Sequence, residues 1–217
     1  MNSTAKNLLS MTESITKIMS IDPGLSTAGW AYSEYANESK ILYVKDTGLI
    51  EGVRFSSLKA QEELTNLFGR RTITLMEIRN KIVEIYRKYI PDYVESENAF
   101  FNRFRPTAFV ALNDFICTVR GTLHREFNVP LYVISPKSIK RIACAGDADK
   151  NDIKTSVLNN KSIVFDIESS PDSLYEHQYD AIAGAYAFVQ LYLEEIKDKV
   201  PYDEIILSQK VKPLKKH

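Results

Sequence analysis

The sequence predicts an α/β domain on a mixed five-stranded sheet, three antiparallel strands and then parallel ones, with helices on both faces. Three short apolar runs joined by polar links open the ordered part of the chain, the pattern of an antiparallel meander. The apolar spacing then changes to three- and four-residue steps, which is helical. Beyond that point strand-like and helix-like segments alternate, the order that sets parallel strands between helical layers.

The elements follow in turn. Residues 1–15 are polar, with Ser, Thr and Asn among a few apolar positions, and read as an N-terminal extension. Lys17 to Asp22 is a first strand ending at Asp-Pro-Gly, and Thr27 to Ser33 a second. Ile41 to Val44, continuing towards Ile50, is a third, with Asp46-Thr47-Gly48 as a break or bulge. Over residues 57–90, Leu64, Phe68, Leu75, Ile78, Ile82, Ile85 and Tyr86 recur at helical steps, with Arg70-Arg71-Thr72 as an interruption and Pro91 as the stop. Tyr93 to Ser96 is a buried strand, residues 107–127 a helix, and Leu131 to Ile134 another strand. Ser135-Pro136 starts a helix, Ser as cap and Pro at the first helical position. A loop spans Ala143–Asp149, a helix runs from about Asn151 to Leu158, and a looser polar stretch reaches Asp172. A last helix covers about Leu174 to Lys197. The ordered domain is therefore 16–200, followed by a tail at 201–217 carrying Lys210, Lys212, Lys215 and Lys216.

Composition narrows the function classes. A chain of 217 residues suits one such domain. The 28 basic and 28 acidic residues cancel, which argues mildly against binding nucleic acid by net charge alone. Basic residues nevertheless gather at Lys137, Lys140, Arg141, Lys150 and Lys154, and metal-binding carboxylates elsewhere would offset them. Cys117 and Cys144 have no zinc-site spacing and read as free thiols of a reducing cytoplasm. No apolar run is long enough for a membrane span or a signal peptide, so a cytoplasmic protein is expected.

Three acidic pieces carry the chemistry. Asp22 closes a strand that should be central, where a carboxylate needs a partner, although Asp-Pro-Gly is also a common turn. Glu95 and Glu97, two apart, emerge on the same side of a buried strand. His177 and Asp180, three apart, share one face at the start of the last helix, whose Ala181-Ile182-Ala183-Gly184-Ala185 run permits close packing on a sheet. Converging over a parallel sheet, these groups form a hard, oxygen-rich ligand set suited to Mg²⁺ or Mn²⁺ rather than structural zinc. Two such ions about 4 Å apart can activate a water and stabilise the leaving oxygen of a phosphodiester.

Three blocks carry a family resemblance: Ile21-Asp22-Pro23-Gly24-Leu25-Ser26-Thr27-Ala28-Gly29-Trp30, Pro91-Asp92-Tyr93-Val94-Glu95-Ser96-Glu97-Asn98-Ala99-Phe100, and His177-Gln178-Tyr179-Asp180-Ala181-Ile182-Ala183. In order and separation they resemble the RuvC Holliday-junction resolvases of the RNase H-like superfamily, over most of residues 17–192. The resemblance implies an RNase H-like nuclease domain with Asp22, Glu97, His177 and Asp180 as metal ligands and catalytic residues. It prefers Glu97 to Glu95 because Phe100 follows at the family's spacing, and it gives Phe100 the role of stacking on a base near the junction centre. Lys140 and Lys150 fall near two active-site lysines of the family, one residue closer together than usual; Lys137, Arg141 and Lys154 would hold DNA nearby.

The resemblance further implies a homodimer, matching the two-fold symmetry of a four-way junction. Two Mg²⁺ per site, replaceable by Mn²⁺, would support paired symmetric nicks that leave 5′-phosphate and 3′-hydroxyl ends. Departures are the longer N-terminal extension, the longer stretch at 159–173 and the basic tail; viral members vary in such ways, so a bacteriophage source is expected. The alternatives are a relaxed fork or flap nuclease of the same fold, a non-catalytic DNA-binding scaffold, and an actin-like or sugar-kinase-type ATP-binding protein. The last needs a second domain and Gly-rich loops, which a chain of this length with 8 Gly does not offer.

Overall fold

The computed structural model describes residues 13–52, 62–101, 103–144 and 149–194. Its strands are β1 (Ile15–Asp22), β2 (Ala28–Ala36), β3 (Ile41–Ile50), β4 (Tyr93–Glu97), β5 (Leu131–Ile134) and β6 (Ile163–Phe165). Its α-helices are α1 (Glu62–Phe68), α2 (Arg70–Tyr89), α3 (Pro106–Phe127), α4 (Pro136–Ala143), α5 (Lys150–Asn159) and α6 (Glu176–Phe188). A single π turn, Val189–Leu193, continues α6.

The sheet order is β5-β4-β1-β2-β3-β6. β1, β2 and β3 form the antiparallel meander, while β4 runs parallel to β1, β5 parallel to β4, and β6 parallel to β3. The α/β mixed sheet is as expected, but it has six strands rather than five. β6 lies inside the stretch read as loose and polar. It is three residues long, and what makes it a strand is the pairing of Leu42 with Ile163, Tyr43 with Val164 and Val44 with Phe165.

Other boundaries move for local reasons. The helical stretch breaks at Gly69, whose φ of 82° only glycine adopts readily, and Arg70 to Thr72 are helical instead of interrupting. β3 runs unbroken through Asp46–Gly48; the register shifts where Tyr32 and Ser33 face Asp46 and Val44, which leaves Lys45 as the extra residue. α4 starts as expected, with the Ser138 amide donating to Ser135 Oγ at 3.1 Å. Glycine is not needed at the ends of α2 and α3, because Ile90 and Asn128 take the left-handed conformation.

Strand alternation divides the core in two. On one face Ile18, Ala31, Tyr35, Val44 and Ile134 pack under α4, α5 and α6. On the other Met19, Ile21, Ile50, Val94 and Leu131 pack under α2 and α3. α6 is buried nearly all round, with Ala181, Ile182, Ala183, Gly184, Ala185 and Ala187 inside, and it contacts β1, β2, β3 and β4. Small residues bring its axis close to the sheet, and its first turn thereby overhangs the carboxyl ends of β1 and β4. Among the described residues, neither Cys117 nor Cys144 forms a disulfide. No described helix is long and apolar enough to cross a membrane. The segments 1–12, 53–61, 145–148 and 195–217 lie outside the described residues, and with them most of the expected N-terminal extension and the whole basic tail.

Candidate metal centre

Asp22 is the last residue of β1, paired across to Gly29 of β2. A Cβ at Gly29 would fall 1.9 Å from the His177 carbonyl oxygen and 2.9 Å from His177 Cβ. The bare glycine thus seats the first turn of α6 directly against the strand next to Asp22. His177 Nδ1 lies 2.6 Å from Asp22 Oδ2, with the Asp22 side chain only 12 % exposed. Gln178 steadies that turn, its side-chain oxygen accepting from the Tyr175 amide at 2.9 Å.

Asp180 completes the group. Ligand atoms of Asp22, His177 and Asp180 lie within 4.8 Å of one another. A divalent ion with bonds of about 2.1 Å holds opposite ligand atoms roughly 4.2 Å apart, so a small closure would place all three on one ion. Two carboxylates and one imidazole are a suitable donor set for a hard divalent cation.

Glu97, at the end of β4, stands just outside that tight set. Its carboxyl is pushed up to about 8, first by burial and then by the charges of Asp22 and Asp180, against a smaller opposing pull from Lys140. Three carboxyl groups gathered in a low-dielectric site are an electrostatic demand for a cation. Glu97 is near enough to feel both aspartates.

Glu95, the second candidate on β4, is sealed away. It is fully buried, it accepts from Ser20 Oγ, and its Oε1 has no hydrogen-bond partner. A Cβ at Gly184 would sit 2.8 Å from Ser20 Oγ and 2.9 Å from Glu95 Oε2. Burial raises the Glu95 carboxyl to about 8, opposed by the Ser20 hydrogen bond and reinforced by Glu97 and Asp22. The i, i+2 spacing predicts one shared side for the two glutamates, and the structure makes it the α6 side; that the helix covers one of them is invisible in the spacing.

The basic candidates separate. Lys140, half-buried on α4, carries a charge that reaches Glu97, and Lys137 and Arg141 are exposed on the same helix. Lys154 is engaged elsewhere, its amine donating to the Asp172 carbonyl at 3.1 Å and lying 5.3 Å from the Tyr179 ring centre. The backbone of Lys150 opens α5 behind the Asp149 cap, and its side chain is outside what is described. Phe100, three residues past Glu97, is 58 % exposed. Phe101 and Phe104 are exposed beside it, an aromatic rim that sequence reasoning reduced to Phe100 alone although all three phenylalanines stand within five residues.

An acidic cluster at the carboxyl ends of central strands, capped by a His and an Asp from an overlying helix, defines a divalent-metal site on a mixed α/β sheet. No protein-family model matches the chain. The crossover junction endodeoxyribonuclease RuvC of Prochlorococcus marinus strain AS9601 is 31 % identical over 171 residues, 78 % of this chain and 93 % of the relative. That of strain MIT 9301 is 33 % identical over 146 residues, 66 % and 81 %. Among solved structures, Thermus thermophilus RuvC in complex with Holliday junction substrate superposes with a TM-score of 0.62 at 17 % identity, covering 84 % of this chain and 96 % of that one. The yeast mitochondrial Holliday junction resolvase gives 0.58 at 13 % identity, covering 84 % and 83 %. The chain belongs to the RuvC family.

Proposed function

We propose that this chain is a metal-dependent, structure-specific endodeoxyribonuclease that cuts four-way DNA junctions. One observation carries the reading. In a member of the RuvC family, Asp22, His177 and Asp180 offer ligand atoms within 4.8 Å of one another, with the raised carboxyl of Glu97 alongside.

Asp22, Glu97, His177 and Asp180 would hold Mg²⁺, two ions per site, with Mn²⁺ able to substitute. When bound, such ions supply a nucleophilic hydroxide and Lewis-acid stabilisation of a leaving oxygen. The residues of the chain provide the rest. His177 is oriented by Asp22, and α6 is held at the strand ends by Gly29. Lys140 places positive charge beside Glu97, where it can orient a scissile phosphate, and Lys150 is proposed to share that task. Lys137 and Arg141 hold flanking backbone. Phe100 stacks on an unpaired base, which stabilises by roughly 1–3 kcal/mol. The active species is a homodimer with one site for each of two opposed strands. Leu67, Phe68, Met76 and Val110, exposed on α1, α2 and α3, are apolar surface that a second copy would cover. A bacteriophage source rests on the departures in length alone.

The test is cleavage of a labelled synthetic four-way junction, with Mg²⁺ and with EDTA, by wild type and Asp22→Asn. Paired symmetric nicks are expected with wild type and Mg²⁺ only. The variant should lose several kcal/mol of transition-state stabilisation, about 10³-fold in rate, while still binding the junction. Cutting of forks or flaps with the junction left intact would move the substrate to other branched DNA. No cutting of any branched DNA would sink the nuclease reading.

A further inference from the structure

We infer that a cavity lined by Leu25, Ser26, Arg70, Arg71 and Thr74, on the opposite face of the sheet from Lys140, is a second DNA site that takes a backbone phosphate flanking the cut. The inference rests on the chain acting on DNA as proposed above.

The position of the cavity is fixed relative to the metal centre. Leu25 and Ser26 belong to the short turn between β1, which ends at Asp22, and β2. That turn is clamped from below: a Cβ at Gly52 would meet the Leu25 carbonyl oxygen at 1.9 Å and Thr74 Cγ2 at 2.9 Å. The cavity therefore stands at the metal end of the sheet, on the α2–α3 side, whereas His177, Asp180 and Lys140 come from the α4–α6 side. A DNA strand crossing the strand ends over Asp22 passes from one flank to the other.

Its chemistry selects an anion. About 430 Å³ in volume, it is lined, among the described residues, by the two basic residues Arg70 and Arg71 together with Leu25, Ser26 and Thr74. Arg71 is anchored by Asp114 at 2.6 Å with its side chain still 42 % exposed. A guanidinium has five donors in a planar fork, so a group oriented by one carboxylate retains donors for a phosphate. Ser26, exposed, adds a hydroxyl. Arg70 and Arg71 occupy the first turn of α2, which holds no acidic residue.

The experiment is binding of a four-way junction and of a plain duplex in EDTA over a range of salt concentrations. It compares wild type, the double variant Arg70→Gln, Arg71→Gln, and Ser26→Asp, which adds a negative charge to the cavity and leaves the Arg71–Asp114 pair alone. The expected result is affinity about tenfold lower for both DNAs in both variants, with the slope of log affinity against log salt flatter by about 1–2 in the double variant. Unchanged affinity and slope in a wild type that binds and cuts junctions would remove this site and leave the nuclease reading standing. A wild type that binds no DNA would remove both. If the double variant fails to fold, Ser26→Asp alone decides, and wild-type affinity in it overturns the inference.

Discussion

Two layers of side chains point the same way from β1, β4 and α6, one step apart. The outer layer is Asp22, Glu97 and Asp180, with His177; the inner layer is Ser20, Glu95 and Gly184. Two residues along a strand and four along a helix return to the same face, so each inner residue lies directly beneath an outer one. Both layers carry a glutamate raised to about 8, mainly by burial. They differ in what lies above them. Gly184 closes the helix down on Ser20 and Glu95, leaving both with no exposure. At the outer layer the helix begins, three carboxyl groups face one another, and Lys140 reaches in from α4. Of the two glutamates on β4, only the one beyond the start of the covering helix meets the carboxyl groups of Asp22 and Asp180 in an open site.

The sharpest way to break this comparison is to neutralise one glutamate at a time. Glu97→Gln should lower metal-dependent cleavage about 10³-fold, the loss of several kcal/mol expected when a proposed metal ligand is removed. Glu95→Gln should leave cleavage at neutral pH near wild type, because α6 seals its side chain beneath Gly184, away from the outer layer. Equal losses in the two variants would mean that both layers serve the metal.

Gly29→Ala tests how the outer layer is assembled. The new Cβ would lie 1.9 Å from the His177 carbonyl oxygen, a backbone atom that cannot step aside without moving α6. Overpacking of this kind costs about 1–3 kcal/mol. A lower melting temperature and a higher Mg²⁺ requirement for cleavage are expected together, since His177 and Asp180 ride on that helix. Wild-type metal dependence would show that α6 can be displaced without opening the site.

Legibility in the sequence follows the same division between what is local and what is not. Elements defined by their own period or cap were placed within a residue or two: Leu131–Ile134, the Ser135-Pro136 start, and α3 from its apolar steps. β6 was missed because Ile163-Val164-Phe165 is too short to show a period and owes its state to its neighbour β3. The proposed metal residues stand out in the sequence as strand-end and helix-start positions within the three motif blocks, and the structure brings three of them, Asp22, His177 and Asp180, together. The sealing of Glu95 was not legible, because it depends on a glycine 89 positions later, Gly184, meeting the strand. Lys154 shows the converse: its place in a basic group gave no sign that Tyr179 and the Asp172 carbonyl hold its amine.

The smallest effect on cleavage, and the cleanest reading of the inner layer, is the pH dependence of stability in Glu95→Gln. Glu95 keeps its proton in the folded chain up to about 8, while in the unfolded chain it loses it near the ordinary value of 4.5. Folding therefore binds a proton between those limits. The associated stability is fully present below pH 4.5, falls by about 1.4 kcal/mol per pH unit as pH rises, and is gone above pH 8. Glutamine carries no charge at any pH and removes this dependence. Denaturant unfolding in EDTA at pH 5, 7 and 9 should show the variant gaining on wild type as pH rises, with Glu97 contributing its own slope of the same sign to both proteins. Parallel stability curves would mean that Glu95 ionises in place, and that the layer beneath the metal centre is wetter than its packing indicates.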